Sequence, residues 1–504
     1  MSNTSSTPAP PPRVTTGVPG LDEIVAGGWP AERLHMVLGT PGAGKTTLGL
    51  QFLLEGAARG ETSLYVSLTE TAAEVTQVAA SHGWTLDALN LFELDAAHAA
   101  MGLEEAGRSM FDPVDVELRQ TSQSIFDEVR RLEPRRVVLD SLSELELMAG
   151  SALVFRRQLL QMKRLLMEIG ATALLLSDSS APEAELQIQS LVHGILRLEH
   201  HTPDYGAERR RLRVSKLRGT KFRSGFHDFD IVRGGVRVYP RLDAREHERL
   251  PTGPPFVTGL PALNELIGEG LGRGTSTLIM GPAGAGKSSL TAQLLDAAVD
   301  RGEKAAVFLF EESRETFLDR ADALGMHLGA AVEAGNLLLT VVNPAELSPG
   351  EFSHRVRRVV EEEGVGVVAI DSLNGYVYAM PEERFLALHV HELLAYLRQR
   401  DVVTLLVMAQ HGLVGHMQSP ADVTYVADAL LLMRFFEAGG RVRRGVSMLK
   451  NRAGYHETAI RELTIDRDGI QVGDPLTGFH GVLGGIPEFV GEEEELMEVA
   501  RDDA

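Results

Sequence analysis

The chain has 504 residues, 44% apolar and 24% charged, an ordinary globular composition that excludes a fibrous or disordered protein. At roughly 100–250 residues per domain, two to four domains are expected. The 49 basic and 70 acidic residues leave a net charge of −21, which argues against a broad basic face for nucleic-acid phosphates. No cysteine is present, so disulfides, thiolate metal sites and cysteine nucleophiles are excluded, and a reducing compartment suits the chain.

In chain order, residues 1–12 (MSNTSSTPAPPP) are Ser/Thr/Pro-rich and are expected to be disordered. They carry neither the basic nor the apolar region of a secretory signal. A first domain is expected over 13–242. Its apolar runs LHMVLG, TSLYVSL, RRVVLD and ATALLLSD alternate with helical stretches such as TLGLQFLLEGAA and Arg156–Ile169. A charged, Pro-rich linker is placed at 243–254. A second domain follows over 255–490, with runs STLIMG, KAAVFLF, VGVVAID and VVTLLVMA and a helix over Arg384–Arg400. Residues 491–504 form an acidic tail, in which seven acids face one Arg501. Apolar strands alternating with helices indicate an α/β fold with a mostly parallel, covered sheet. The longest apolar stretches, 402–409 and 171–176, fall far short of the ~18 residues a membrane span needs. A soluble, cytoplasmic protein is expected.

The two halves are copies of one domain. Gly17, Gly39, Lys45 and Glu70 recur as Gly259, Gly281, Lys287 and Glu312, all at an offset of 242. Asp140 answers Asp371 at 231, and KLR at 216–218 answers KNR at 450–452 at 234. Such a period is too long for a solenoid and means a duplicated globular domain.

GTPGAGKT and GPAGAGKS fit the P-loop pattern G-x4-G-K-[ST], each between an apolar strand and a helix. Glycines let successive N–H groups turn toward one phosphate chain, and the helix N-terminus adds partial positive charge. The ATP-binding candidates are therefore Gly39, Thr40, Pro41, Gly42, Ala43, Gly44, Lys45, Thr46 and Thr47 in the first copy. In the second they are Gly281, Pro282, Ala283, Gly284, Ala285, Gly286, Lys287, Ser288 and Ser289. Lys45 and Lys287 would reach the β/γ phosphates; Thr46 with Asp140, and Ser288 with Asp371, would hold Mg2+. Hydrolysis needs a carboxylate near the attacking water. The strand-end acids Glu70, Glu311 and Glu312 are the candidates, with Thr69 where a paired first-copy acid would stand; solvated turn acids are the other reading. Lys216/Arg218 and Lys450/Arg452 lie far from their own P-loops in sequence and could serve a neighbour's nucleotide, or be exposed edge-strand residues. The pairs His200/His201 and His389/His391 lack metal-ligand spacing.

Together with the KLRGT segment, the acid pair FEES, VVLDS/VAIDS and the ending RRGVSMLKNRAGYHETAIRELTIDRDG, these duplicated motifs resemble the KaiC family over roughly 13–490. The resemblance implies two tandem RecA-like P-loop domains per chain and a homohexameric double ring with ATP between neighbours. It further implies slow hydrolysis in the first domain and reversible Ser/Thr autokinase activity in the second. By the same resemblance, Lys216, Leu217, Arg218 and Thr220, and Lys450, Asn451 and Arg452, match residues contacting the neighbour's ATP. Glu70 matches the second of two catalytic acids, and Glu311 the base of the kinase. Thr424, Tyr425 and Ser419 fall at positions of family phosphoacceptor hydroxyls. Partners of KaiB or histidine-kinase signalling type follow from the family, whereas the short acidic end argues against tail binding by a KaiA-type activator. No nucleic-acid or membrane partner is expected, and a role in signalling outside a full clock fits best. A DNA-dependent motor of the same fold and a nucleotide-switched scaffold are the competing readings.

Overall fold

In the computed structural model the chain divides into two compact units, Met1–Arg241 and Leu242–Ala504. The structure describes residues 12–94, 113–178, 189–203, 206–243, 253–378, 386–410, 425–438, 440–467, 469–482 and 488–489. The first eleven residues, most of the expected linker (244–252), the acidic tail, Ser419 and Thr424 lie outside the described residues.

The first unit starts its central layer with β1 (Leu34–Gly39), whose six residues are all buried. Next come α1 (Lys45–Ala58), β2 (Ser63–Ser67), α2 (Ala72–Ser81), β3 (Asn90–Glu93) and α3 (Pro113–Leu132). Then follow β4 (Arg136–Asp140), α4 (Leu142–Met148), α5 (Ala152–Glu168), β5 (Thr172–Asp178) and β6 (Gly194–His201). A ribbon of β7 (Arg209–Leu217), β8 (His227–Val232) and β9 (Gly235–Tyr239) ends the unit. The nine strands lie in the order β3-β2-β4-β5-β1-β6-β7-β8-β9. Pairing is parallel from β3 to β6 and antiparallel from β6 to β9.

Successive strand residues point to opposite faces, so each sheet carries two cores. Leu174 joins Leu48, Leu53 and Val75 under α1 and α2. Its neighbour Leu175 joins Ile125, Leu145 and Leu159 under α3, α4 and α5. Covered on both sides, these strands need apolar residues throughout. The ribbon differs: Arg211 and Arg213 are exposed while Leu212 and Val214 are buried, the alternation of a sheet wet on one face.

The second unit repeats the order. Its elements are β10 (Ser276–Gly281), α6 (Lys287–Asp300), β11 (Ala305–Leu309), α7 (Arg314–Ala323), β12 (Leu337–Val341) and α8 (Pro349–Glu363). They continue with β13 (Val367–Asp371), α9 (Leu373–Tyr378), α10 (Leu386–Gln399), β14 (Val403–Ala409), β15 (Ala429–Ala438), β16 (Arg441–Asn451), β17 (Ile460–Asp466) and β18 (Gly469–Pro475). The sheet runs β12-β11-β13-β14-β10-β15-β16-β17-β18. Both units are RecA-like α/β folds with a mostly parallel sheet between helices.

Beneath the second unit's site, Phe352 on α8 is a hub of rings. Its centroid lies 5.3 Å from Phe308, 5.4 Å from Phe310 and 5.1 Å from Tyr376. Phe310 also donates its backbone N–H to Asp371 O at 2.7 Å, so the cluster supports the strand ends bearing the acids. Phe352 is buried, and Phe352→Ala is expected to destabilise this unit by about 3–5 kcal/mol, read as a lowered urea midpoint.

Candidate functional site

In both copies the central strand passes into a helix through a glycine in the left-handed region, Gly44 at φ 94° and Gly286 at φ 97°. A Cβ at either position would run into Ile231 or Ile465, so the loop's path requires glycine. Neither glycine position supplies a side-chain cap, which leaves the first-turn N–H groups of α1 and α6 directed at the loop. Around the Cβ direction of Gly42 nothing lies within 4 Å, and at Gly284 only the Phe435 ring comes near, at 3.8 Å. An open nest of donors at a helix N-terminus suits a phosphate group.

The lysines are held differently. Lys45 Nζ donates to Asp178 Oδ1 at 2.7 Å, Gly39 O at 2.9 Å and Thr40 O at 3.1 Å. In the second copy Ala409 stands in register with Asp178, because Gly39 pairs with Asp178 and Gly281 with Ala409. Lys287 Nζ donates to Pro282 O at 2.7 Å. Burial lowers its pKa, opposed by the nearby carboxylates of Asp371 and Glu311. Taking up a phosphate therefore draws Lys45 away from a carboxylate, whereas Lys287 leaves a carbonyl.

The candidate metal residues meet. Thr46 Oγ1 donates to Asp140 Oδ2 at 2.7 Å, and Ser288 donates to Asp371. One carboxylate and one hydroxyl suit Mg2+, which keeps waters and takes substrate phosphates for its remaining positions. No cluster of three or more His, Cys, Asp or Glu that could hold a metal occurs among the described residues. Asp371 Oδ2 is buried without a partner. Burial pushes this carboxyl up to about 6, with Glu312 and Glu311 adding to the rise and Ser288 and Arg320 opposing it.

The acids sit on turns after β2 and β11. In the first copy a capping box between Thr71 and Glu74 starts α2 and sets the turn that carries Glu70. Glu70 Oε2 is buried without a partner; burial, then Asp140 and Glu74, raise its pKa. Thr69 is exposed. In the second copy Glu312 is clamped by the two terminal guanidinium nitrogens of Arg320, with Nη2 to Oε1 at 2.9 Å. Glu311 is exposed and accepts from Ser372 Oγ at 2.6 Å, which leaves it the more available base.

The Lys-x-Arg residues lie elsewhere. Leu217 pairs with Gly194, which pairs with His35, and Lys450 pairs with Leu430, which pairs with Leu278. These positions are about 10–13 Å back along the strands from Gly39 and Gly281. Lys216 donates to Gln189 O, and Arg218 to Ser190 O at 2.9 Å. Lys450 donates to Ala427 O at 2.6 Å, and Arg452 to Tyr425 O at 3.2 Å. Asn451 Nδ2 donates to Ile267 O at 3.1 Å; Leu217 is buried, and Thr220 Oγ1 accepts from Arg13 at 3.4 Å. The P-loops and these residues thus lie toward opposite ends of the strands in each sheet. Tyr425 is exposed.

Asp178, Arg320 and Tyr65, whose hydroxyl donates to Asp140 Oδ2 at 2.7 Å, went unnoticed in the sequence. Tyr65 alone left a trace there, an aromatic where the second copy has Val307.

Asp371 also yields a pH-dependent prediction. Its carboxyl has a higher pKa folded, about 6, than its ordinary value of 3.8, so ionisation opposes folding and the penalty grows as pH rises between these values. Without nucleotide or metal, Asp371→Asn is expected to stabilise the protein at pH 7.5 by up to about 3 kcal/mol. The gain should shrink as pH falls through 6 and vanish near 4, which urea unfolding across pH reads directly.

Comparison with known proteins agrees with this duplicated geometry. The family model described as "ATPase: KaiC" matches residues 14–243 and again 256–477. The circadian clock oscillator protein KaiC of Acaryochloris marina is 25% identical over 501 residues, covering 97% of this chain and 94% of that protein. The circadian clock protein KaiC3 of Synechocystis is 26% identical over 488 residues, covering 96% of each. KaiC of Thermostichus vulcanus is 26% identical over 511 residues, covering 99% of this chain and 97% of its own. With two family repeats spanning most of its length, each built around a strand–glycine loop–helix nest, this chain belongs to the KaiC family of ATPases.

Proposed function

We propose that the chain assembles as a hexameric ring ATPase that hydrolyses Mg-ATP at its first P-loop. At its second P-loop it transfers the γ-phosphoryl group to a hydroxyl of an adjacent chain, reversibly. The carrying observation is the separation of parts: each sheet bears its phosphate nest at one end of its strands and its Lys-x-Arg cations toward the other end. A site completed from a neighbouring chain uses both ends; a monomer leaves the cations on backbone carbonyls.

The metal ion, when bound with nucleotide, would supply charge neutralisation of the phosphates. Gly42 to Thr46 and Gly284 to Ser288 orient the phosphate chain through backbone N–H groups, and Lys45 and Lys287 swing from their present acceptors onto it. Asp140 and Asp371 hold the metal side of the site. In the first copy Glu70 takes the proton of the attacking water; its raised pKa suits a general base. With Thr69 in place of a second acid, Glu70 works alone there. In the second copy Arg320 fixes Glu312, so Glu311 takes the acceptor hydroxyl's proton after releasing Ser372. Lys216/Arg218 and Lys450/Arg452 would stabilise charge on the neighbour's phosphates. Thr424, Tyr425 and Ser419 are the proposed acceptors. Signalling partners of KaiB or histidine-kinase type and cytoplasmic action belong to this reading. Among the described residues no helix is long and apolar enough to cross a membrane.

The test is incubation of the full chain with Mg-ATP, then mass spectrometry of the 415–430 region. Phosphate on Thr424, Tyr425 or Ser419 is expected, falling at least about 100-fold in Glu311→Gln but persisting in Glu312→Gln. Hydrolysis with no label on any hydroxyl would reduce the reading to an ATPase. DNA-stimulated turnover would replace it with a motor.

A further inference from the structure

The two metal-side carboxylates are not held alike. Asp140 Oδ2 accepts two hydrogen bonds of 2.7 Å, from Thr46 Oγ1 on α1 and from Tyr65 OH on β2. The Tyr65 ring is packed in the core beside Leu48, Val75 and Val138 and is only 1% exposed. Phenylalanine would fill the same space, so packing alone does not call for the hydroxyl. A buried hydroxyl must find an acceptor, and here the acceptor is the carboxylate at the end of the neighbouring strand. Ser67 pairs with Asp140 on β2–β4 as Leu309 pairs with Asp371 on β11–β13. Two residues earlier, Tyr65 is answered by Val307, which has no donor, and Asp371 Oδ2 is buried without a partner.

We propose that Tyr65 is a positioning residue for the divalent cation of the first nucleotide site, a role the second site lacks. The inference rests on the reading of that site as one for metal and nucleotide. A P-loop hydroxyl offers a lone pair to the metal while its O–H stays on the carboxylate. Asp140 is then held by Thr46 and Tyr65 together, and the phenol keeps the carboxylate from pivoting about the Thr46 contact. Asp371 is held by Ser288, and its Oδ2 is buried without a partner. The first site is therefore preorganised for the ion and the second must order its carboxylate on binding. Partners that orient a ligand from behind are worth 10–100-fold in metal affinity as a rule.

The test uses the full chain carrying Lys287→Ala, which silences the second nest, with and without Tyr65→Phe. Mn2+ binding is measured by electron paramagnetic resonance in the presence of a non-hydrolysable ATP analogue. Affinity of the analogue alone is measured in EDTA. Tyr65→Phe is expected to weaken Mn2+ binding about tenfold while leaving metal-free analogue binding within error. Unchanged Mn2+ affinity would overturn the proposal. So would an equal loss of metal-free analogue binding, because that marks a structural role for the hydroxyl. If the Lys287→Ala chain binds the analogue but no Mn2+, the metal reading of the first site falls, and this inference with it.

Discussion

Everything in this molecule turns on a backbone conformation that only glycine tolerates, at the point where a fully buried strand becomes a helix. Gly44 and Gly286 bring the chain round in the left-handed region against Ile231 and Ile465. The helix then begins with its orphan N–H groups facing open space. The strands beside the central one place the chemistry. One neighbour delivers Asp178 or Ala409 beside the loop, and the next delivers Asp140 or Asp371 against the helix hydroxyl. Strand order, rather than proximity in sequence, makes the site.

Duplication supplied two such sites, and their surroundings have diverged. The first ties its lysine to a carboxylate, carries Glu70 half-buried with an unpartnered oxygen, and braces Asp140 with a phenol. The second leaves its lysine on a carbonyl, offers an exposed acid beside one clamped by arginine, and buries an aspartate with an unpartnered oxygen. The aspartate of the second site is the less firmly held of the two.

Much of this was legible in the residues. The P-loops are contiguous, so their glycines, lysines and hydroxyls could be assigned by spacing, and the continuous apolar strands ending in Asp140 and Asp371 announced a covered parallel sheet. The antiparallel ribbon was less plain, because its alternating Arg211–Leu212–Arg213–Val214 reads equally as any wet strand. Contacts made across the sheet were not legible at all. Asp178 meets Lys45 across 133 residues and Tyr65 meets Asp140 across 75, and no local pattern encodes such pairings. The Arg320–Glu312 clamp spans only 8 residues, yet it joins a turn to a helix in a geometry that helical spacing does not anticipate. For the Lys-x-Arg cations, sequence distance suggested service to another chain; strand register places them toward the strand ends away from their own phosphate nest.

The proposed division of each sheet into a binding end and a donating end is most directly examined by native mass spectrometry. The full chain would be measured with Mg2+ and a non-hydrolysable ATP analogue, beside a Lys216→Ala/Lys450→Ala chain. The account predicts a closed hexamer holding two nucleotides per chain, with nucleotide retention sharply reduced when the distant lysines are removed. A chain that stays single while filling both nests, with retention indifferent to those lysines, would contradict it.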